Sequence, residues 1–102
     1  MCDFKIFYGD TFLNGFDMIE NNIRHLIELE YYKTCTNVGK ECSTIYGIEV
    51  IKKEHFKNRT EKEIDNVELL TKDEALIDRI IGKLKEQKVT PVALRDVVQE
   101  LI

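Results

Sequence analysis

The middle of the chain alternates between apolar and polar positions. His25 to Thr36 and Glu41 to Lys53 are rich in Ile, Val, Tyr and Thr, and Asn37-Val38-Gly39-Lys40 separates them. Alternation with period two marks half-buried strands, and Gly and Asn supply the positive φ of a hairpin loop. An antiparallel hairpin over 26–36 and 41–53 is therefore expected. Setting Thr36 opposite Glu41 places Ile27 across from Val50, Leu29 from Ile48 and Tyr31 from Tyr46, with all six on one face. The other face carries Leu26, Glu28, Glu30 and Tyr32 against Ile51, Glu49, Gly47 and Ile45. A one-residue slip would pair apolar with polar positions. This register has one cost, because Glu28 faces Glu49.

A third strand is expected near 62–70, with a bulge at Asp65-Asn66 to reconcile the uneven steps between Ile64, Val67 and Leu69. The period then changes. Thr71-Lys72-Asp73-Glu74 has the form of a capping box, and Leu76, Ile77, Ile80, Ile81 and Leu84 follow at helical spacing, which predicts a helix over 72–87. Gly82 inside it points to a close backbone approach. Thr90-Pro91 opens a second helix over 91–101, with Leu94, Val97, Val98 and Leu101 as its apolar stripe.

The pattern predicts a single α+β domain over 25–102, an antiparallel sheet of about three strands with two C-terminal helices packed on one face. Residues 1–24 form an aromatic segment. Phe4, Ile6 and Tyr8 alternate like a short strand, and Asp17 is placed to cap a helical turn through Met18, Ile19 and Ile23. Phe4, Phe7, Tyr8, Phe12 and Phe16 are too many aromatic side chains to leave in water, so they pack on the sheet or meet another subunit.

With this element order, the chain resembles a small family of uncharacterised bacterial proteins, a domain of unknown function in anaerobic, spore-forming Gram-positive bacteria. The residues that carry the likeness are Tyr31-Tyr32, Tyr46-Gly47-Ile48-Glu49-Val50 and Val89-Thr90-Pro91-Val92-Ala93-Leu94-Arg95-Asp96-Val97-Val98, within residues 26–102. The resemblance implies the domain boundary and an intracellular bacterial setting. It brings no activity, cofactor or catalytic residue.

Composition narrows the partners. The 102 residues are one domain's worth, and 43% hydrophobic with 33% charged side chains suits a folded soluble domain. Fifteen basic against nineteen acidic residues leave −4, which argues against a generic phosphate-backbone binder. No apolar run approaches the roughly 20 residues of a membrane helix. Met1 to Asp10 has no export signal, so a cytoplasmic setting with free thiols is expected for Cys2, Cys35 and Cys42, an odd set without a CxxC pair.

The candidate chemistry is thin. Cys35 and Cys42 face each other in the register above, as a redox pair or as two small buried hydrophobes; the reducing compartment favours the second. His25 and His55 read as solvated side chains at strand ends. Glu28, Glu30 and Glu49 on the outer hairpin face could serve a metal-dependent or hydrolytic enzyme, but neither His nor a nucleophilic Ser stands beside them. Lys83, Lys85, Lys88 and Arg95 near the helix junction suit a DNA-binding regulator, although the second helix also presents Asp96 and Glu100. No catalytic, cofactor or metal residue is assigned. The expected function is a non-enzymatic regulatory module working through a protein partner or self-association. Its surface is expected to comprise Phe4, Phe7, Tyr8, Phe12, Phe16, Leu26, Tyr32, Ile45 and Ile51.

Overall fold

A computed structural model describes residues 3–13, 26–39, 43–56 and 58–102. Its strands are β1 (Asp3–Phe12), β2 (Leu26–Val38), β3 (Ser43–His55) and β4 (Thr60–Thr71), an antiparallel meander in the order β1-β2-β3-β4. The expected three strands are thus four among the described residues. The N-terminal alternation of Phe4 and Ile6 continues into a full strand that pairs with β2 as an edge of the sheet. The hairpin strands run to 38 and 55 instead of 36 and 53, and the strand expected at 62–70 spans 60–71. Cys2, Phe16, Asp17 with its helical turn, His25 and Cys42 lie outside the described residues.

The β2–β3 register differs from the expected one by four residues. Tyr31 lies opposite Val50, Lys33 opposite Ile48 and Cys35 opposite Tyr46, while Val38 meets Ser43. A four-residue shift, being even, preserves the faces, because side chains alternate with period two. Leu29, Tyr31, Ile48 and Val50 therefore share the buried face as expected. The shift also removes the Glu28–Glu49 conflict, since Glu28 now faces Lys53 and Glu49 faces Tyr32. The observed register gives up apolar pairs, with Ile27 opposite Glu54 and Leu29 opposite Lys52, and gains the Glu28–Lys53 pairing.

Two irregularities bend the sheet. Tyr8 is an extra residue on β1, between Phe7 opposite Tyr32 and Gly9 opposite Tyr31. The second lies where β3 runs from Ile48 to Tyr46 while β4 runs from Val67 to Thr71. The bulge expected at Asp65-Asn66 is therefore displaced along β4, and those two residues pair regularly with Val50 and Glu49. Gly47 sits at this second bulge. A Cβ there would fall on the Val67 carbonyl oxygen and stand 2.6 Å from Thr34 Oγ1, so only glycine lets the backbones approach.

Helix α1 spans Glu74–Glu86, shorter than the expected 72–87. Its cap is Asp73, whose carboxylate accepts from the Leu76 N–H at 3.2 Å, and not Thr71. The Thr71 hydroxyl accepts from the Asp73 N–H at 3.1 Å, fixing the approach to the helix. Ile77, Ile80, Ile81 and Leu84 face the sheet and are buried. A Cβ at Gly82 would stand 3.2 Å from the Tyr8 hydroxyl, the close approach its position in the sequence implied. The expected helix over 91–101 is a 3-10 turn, Pro91–Ala93, followed by α2, Leu94–Leu101. Thr90 makes no side-chain cap bond; the turn closes by Ala93 N–H donating to the Thr90 carbonyl at 3.1 Å. Leu94 and Val98 complete the core, which joins the inner sheet face to both helices.

Candidate functional site

Both helices lie on one face of the sheet, and no described helix covers the other. On this outer face, period-two alternation places Lys5, Phe7, Asp10 and Phe12 of β1 beside Leu26, Glu28, Glu30 and Tyr32 of β2. Ile45, Glu49, Ile51 and Lys53 of β3 and Lys62 and Ile64 of β4 continue it. Phe7 (52% exposed), Leu26 (48%) and Ile64 (54%) are the large apolar side chains most open to solvent here, with Phe12 close behind.

The polar groups between them are paired. Lys5 Nζ lies 2.7 Å from Glu49 Oε2 and 4.7 Å from the centre of the Tyr32 ring, against which Phe7 packs edge-on at 5.4 Å. Tyr32 donates to Glu30 at 3.3 Å, Lys53 reaches Glu30 at 3.0 Å, and His55 Nε2 stands 3.4 Å from Glu28. The hydrogen bond to Glu49 raises the Lys5 pKa, and the bond to Glu30 raises that of Lys53. Burial, then the Glu30 charge, raises the Tyr32 phenol. Each such partly exposed pair is worth about 0–1 kcal/mol, so this network shapes a surface more than it holds the fold. Chemically, each of Glu28, Glu30 and Glu49 has a basic side chain beside it. His55, expected to be solvated, is half-buried between Glu28 and Thr60.

Of the residues expected to form an interaction surface, Phe7, Phe12 and Leu26 are exposed on this face, and Tyr32 and Ile45 are half-buried there. Ile51 is a correction: at 8% exposure it is buried, with Glu30 and Ile64 as its register neighbours. Phe4 and Tyr8 belong elsewhere. Phe4 is exposed on the helix side of the edge strand, opposite Cys35, and Tyr8 turns its hydroxyl to α1. Ile64 was missed as a surface residue, because its face depends on the β3–β4 register and not on its own neighbours in sequence.

Among the described residues the inner face holds one buried cation. Lys33, 9% exposed, reaches Glu74 at 2.8 Å and Asp78 at 2.9 Å on α1. Burial lowers its pKa, but the two carboxylate hydrogen bonds outweigh that and hold it above the ordinary lysine value. Lys33→Ala is expected to cost about 2 kcal/mol in urea unfolding, and Lys33→Met less than about 1, because the thioether keeps the packing without the buried charge. Equal losses for both would contradict that division. Cys35 is buried and faces Tyr46 in place of the expected Cys42; burial pushes its thiol pKa up, away from reactivity. Among the described residues no three His, Cys, Asp or Glu side chains form a metal-holding group.

At the junction of the helices Lys83 and Lys88 are exposed, and the other two basic residues are engaged. Arg95 is tied to Asp65 of β4 at 3.2 Å, and the Lys85 stem lies over Gly9. None of the described helices is long and apolar enough to cross a membrane.

Residues 11–102 match a family of unknown function, DUF6514. The chain belongs to that family. No curated protein and no solved structure matches it. The DUF6514 match begins before β2, where the likeness read from the sequence began, and takes in the end of β1.

Proposed function

We propose that this DUF6514 chain is a non-enzymatic regulatory module that works through protein contacts on the open face of its sheet. The observation that carries the reading is that face itself, where exposed Phe7, Phe12, Leu26 and Ile64 alternate with ion-paired side chains. Exposed apolar side chains set among ion pairs on an uncovered face suit a protein partner. Charge argues for protein over nucleic acid. Among the described outer-face residues Asp3, Asp10, Glu28, Glu30 and Glu49 outnumber Lys5, Lys53 and Lys62. A bacterial cytoplasmic setting belongs to the same proposal, supported by the likeness to proteins of spore-forming bacteria and by the free, buried Cys35.

The test is affinity capture from the native host with the full chain and with a Leu26→Lys/Ile64→Lys variant, both of which place charge at exposed positions. A partner held by the wild type and reduced at least about tenfold with the variant is expected from loss of two exposed apolar contacts. A partner held equally by both would overturn the outer-face assignment. Salt-sensitive binding of random duplex DNA by the wild type would overturn the protein-contact reading in favour of a DNA-binding regulator.

A further inference from the structure

Among the described residues β1 and β4 are the two edge strands of the sheet, and the residues of β1 are self-complementary about their bulge. Four residues, Asp3 to Ile6, precede the Phe7-Tyr8 bulge, and four, Gly9 to Phe12, follow it. One inserted residue flips the alternation. Asp3 and Lys5 therefore share the outer face with Asp10 and Phe12, while Phe4 and Ile6 share the helix side with Gly9 and Thr11. We propose that β1 pairs antiparallel with β1 of a second copy of this chain, about a two-fold axis through the bulge, to join the two sheets edge to edge. This goes beyond the outer-face reading, because it uses the edge of the sheet and a second copy as the occupant.

About that axis every pair outside the Phe7-Tyr8 bulge lies on a common face. Lys5 stands opposite Asp10 of the second copy, Asp3 opposite Phe12, Phe4 opposite Thr11, and Ile6 opposite Gly9, each occurring twice. Shifting the axis one position toward Ile6 brings Asp3 opposite Asp10, two carboxylates. Shifting it toward Gly9 pairs Asp10 with Phe7 and Lys5 with Phe12, and leaves Asp3 and Phe4 beyond the end of the partner strand. A half-step between these breaks the two-fold symmetry of the hydrogen-bonded ladder. Opposite charge and common faces thus select a single symmetric register.

The chain by itself supplies a reason for Asp10 to seek Lys5 of a second copy. Asp10 lies opposite Glu30 in the β1–β2 register, a like-charge neighbour, and it has no ion-pair partner among the described residues. Lys5 keeps donors free beyond its bond to Glu49, since an ammonium has three. β1 also has neither proline nor an inward-facing charge, two devices that keep sheet edges from pairing. Phe4, Phe7, Tyr8 and Phe12 are 40–52% exposed along it, and pairing covers part of each.

Sedimentation equilibrium on the full chain tests this. The wild type is expected at twice the 12.0 kDa chain mass. Asp10→Lys sets two lysines against two lysines and should weaken the dimer by roughly tenfold or more, without lowering the melting temperature, because it also relieves Glu30. Lys5→Asp combined with Asp10→Lys restores opposite charges and should recover most of the affinity. A wild type that stays at 12.0 kDa up to millimolar concentration overturns the proposal. So does an Asp10→Lys chain that dimerises as tightly as the wild type, or a double variant no tighter than the single one. None of these results decides the host-capture test, whose Leu26 and Ile64 lie on β2 and β4.

Discussion

Gly47→Ala is expected to destabilise the protein by about 3 kcal/mol, seen as a lower urea midpoint with an unchanged slope. The added methyl would fall on the Val67 carbonyl oxygen, a backbone atom of β4 held at the bulge, and stand 2.6 Å from Thr34 Oγ1. The hydroxyl can rotate or be removed; the carbonyl cannot move without opening the β3–β4 ladder. Adding Thr34→Ala should therefore recover less than half of the loss. Full recovery would show that the side chain, and not the strand, is the obstacle. A change below about 0.5 kcal/mol for Gly47→Ala would mean that the two strands do not approach so closely.

Tyr31→Ala is expected to cost more, about 4–5 kcal/mol, which is most of the stability of many domains this size. Tyr31 is fully buried at the centre of the sheet, and its hydroxyl donates to the Val89 carbonyl at 2.9 Å, tying β2 to the segment between the helices. Tyr31→Phe separates the two contributions. It keeps the ring and removes the only donor shown for that carbonyl, at an expected cost of about 1–2 kcal/mol. For a chain of about 100 residues each kcal/mol lowers the melting temperature by roughly 4–8 °C, so scanning calorimetry resolves both variants. If Tyr31→Phe were neutral, the Val89 carbonyl would have another partner and the link between helices and sheet would rest on packing alone.

Which face of the sheet is buried was legible in the sequence because alternation survives any even slip. Leu29 and Ile48 share the buried face whether the hairpin is paired as expected or with partners four residues further along. The register itself was not legible from apolar positions. The observed one sets Glu28 against Lys53 in place of Glu49, with β4 on the far side. The start of the fourth strand was legible as a short alternation of Phe4, Ile6 and Tyr8, but its continuation was hidden by the bulge, after which Gly9 and Thr11 resume the inward positions out of phase. The helix boundary moved for a similarly local reason. Thr71 and Asp73 both suit a cap, and the last β4 residue is committed to the ladder opposite Tyr46, which leaves the role to Asp73.

The candidate surface was legible to the same extent. Aromatic residues at 4, 7, 8 and 12 could be marked as unusual, but the side each takes depends on the extra residue at Tyr8. Ile51 and Ile64 look alike in sequence and oppose each other across β3 and β4. One lies within the sheet and is buried; the other is on the edge strand and is exposed. Sheet order, a property of the whole chain, separates them.

Hydroxyl-radical footprinting of the isolated protein measures the two sheet faces side by side. Leu26 and Ile64 should be oxidised readily, while Leu29 and Ile48, next to them in the ladder but turned to the helices, should be protected by at least about an order of magnitude, as buried core residues are. Comparable protection of Leu26 and Leu29 would mean that something already covers the outer face, and a partner surface there would be contradicted.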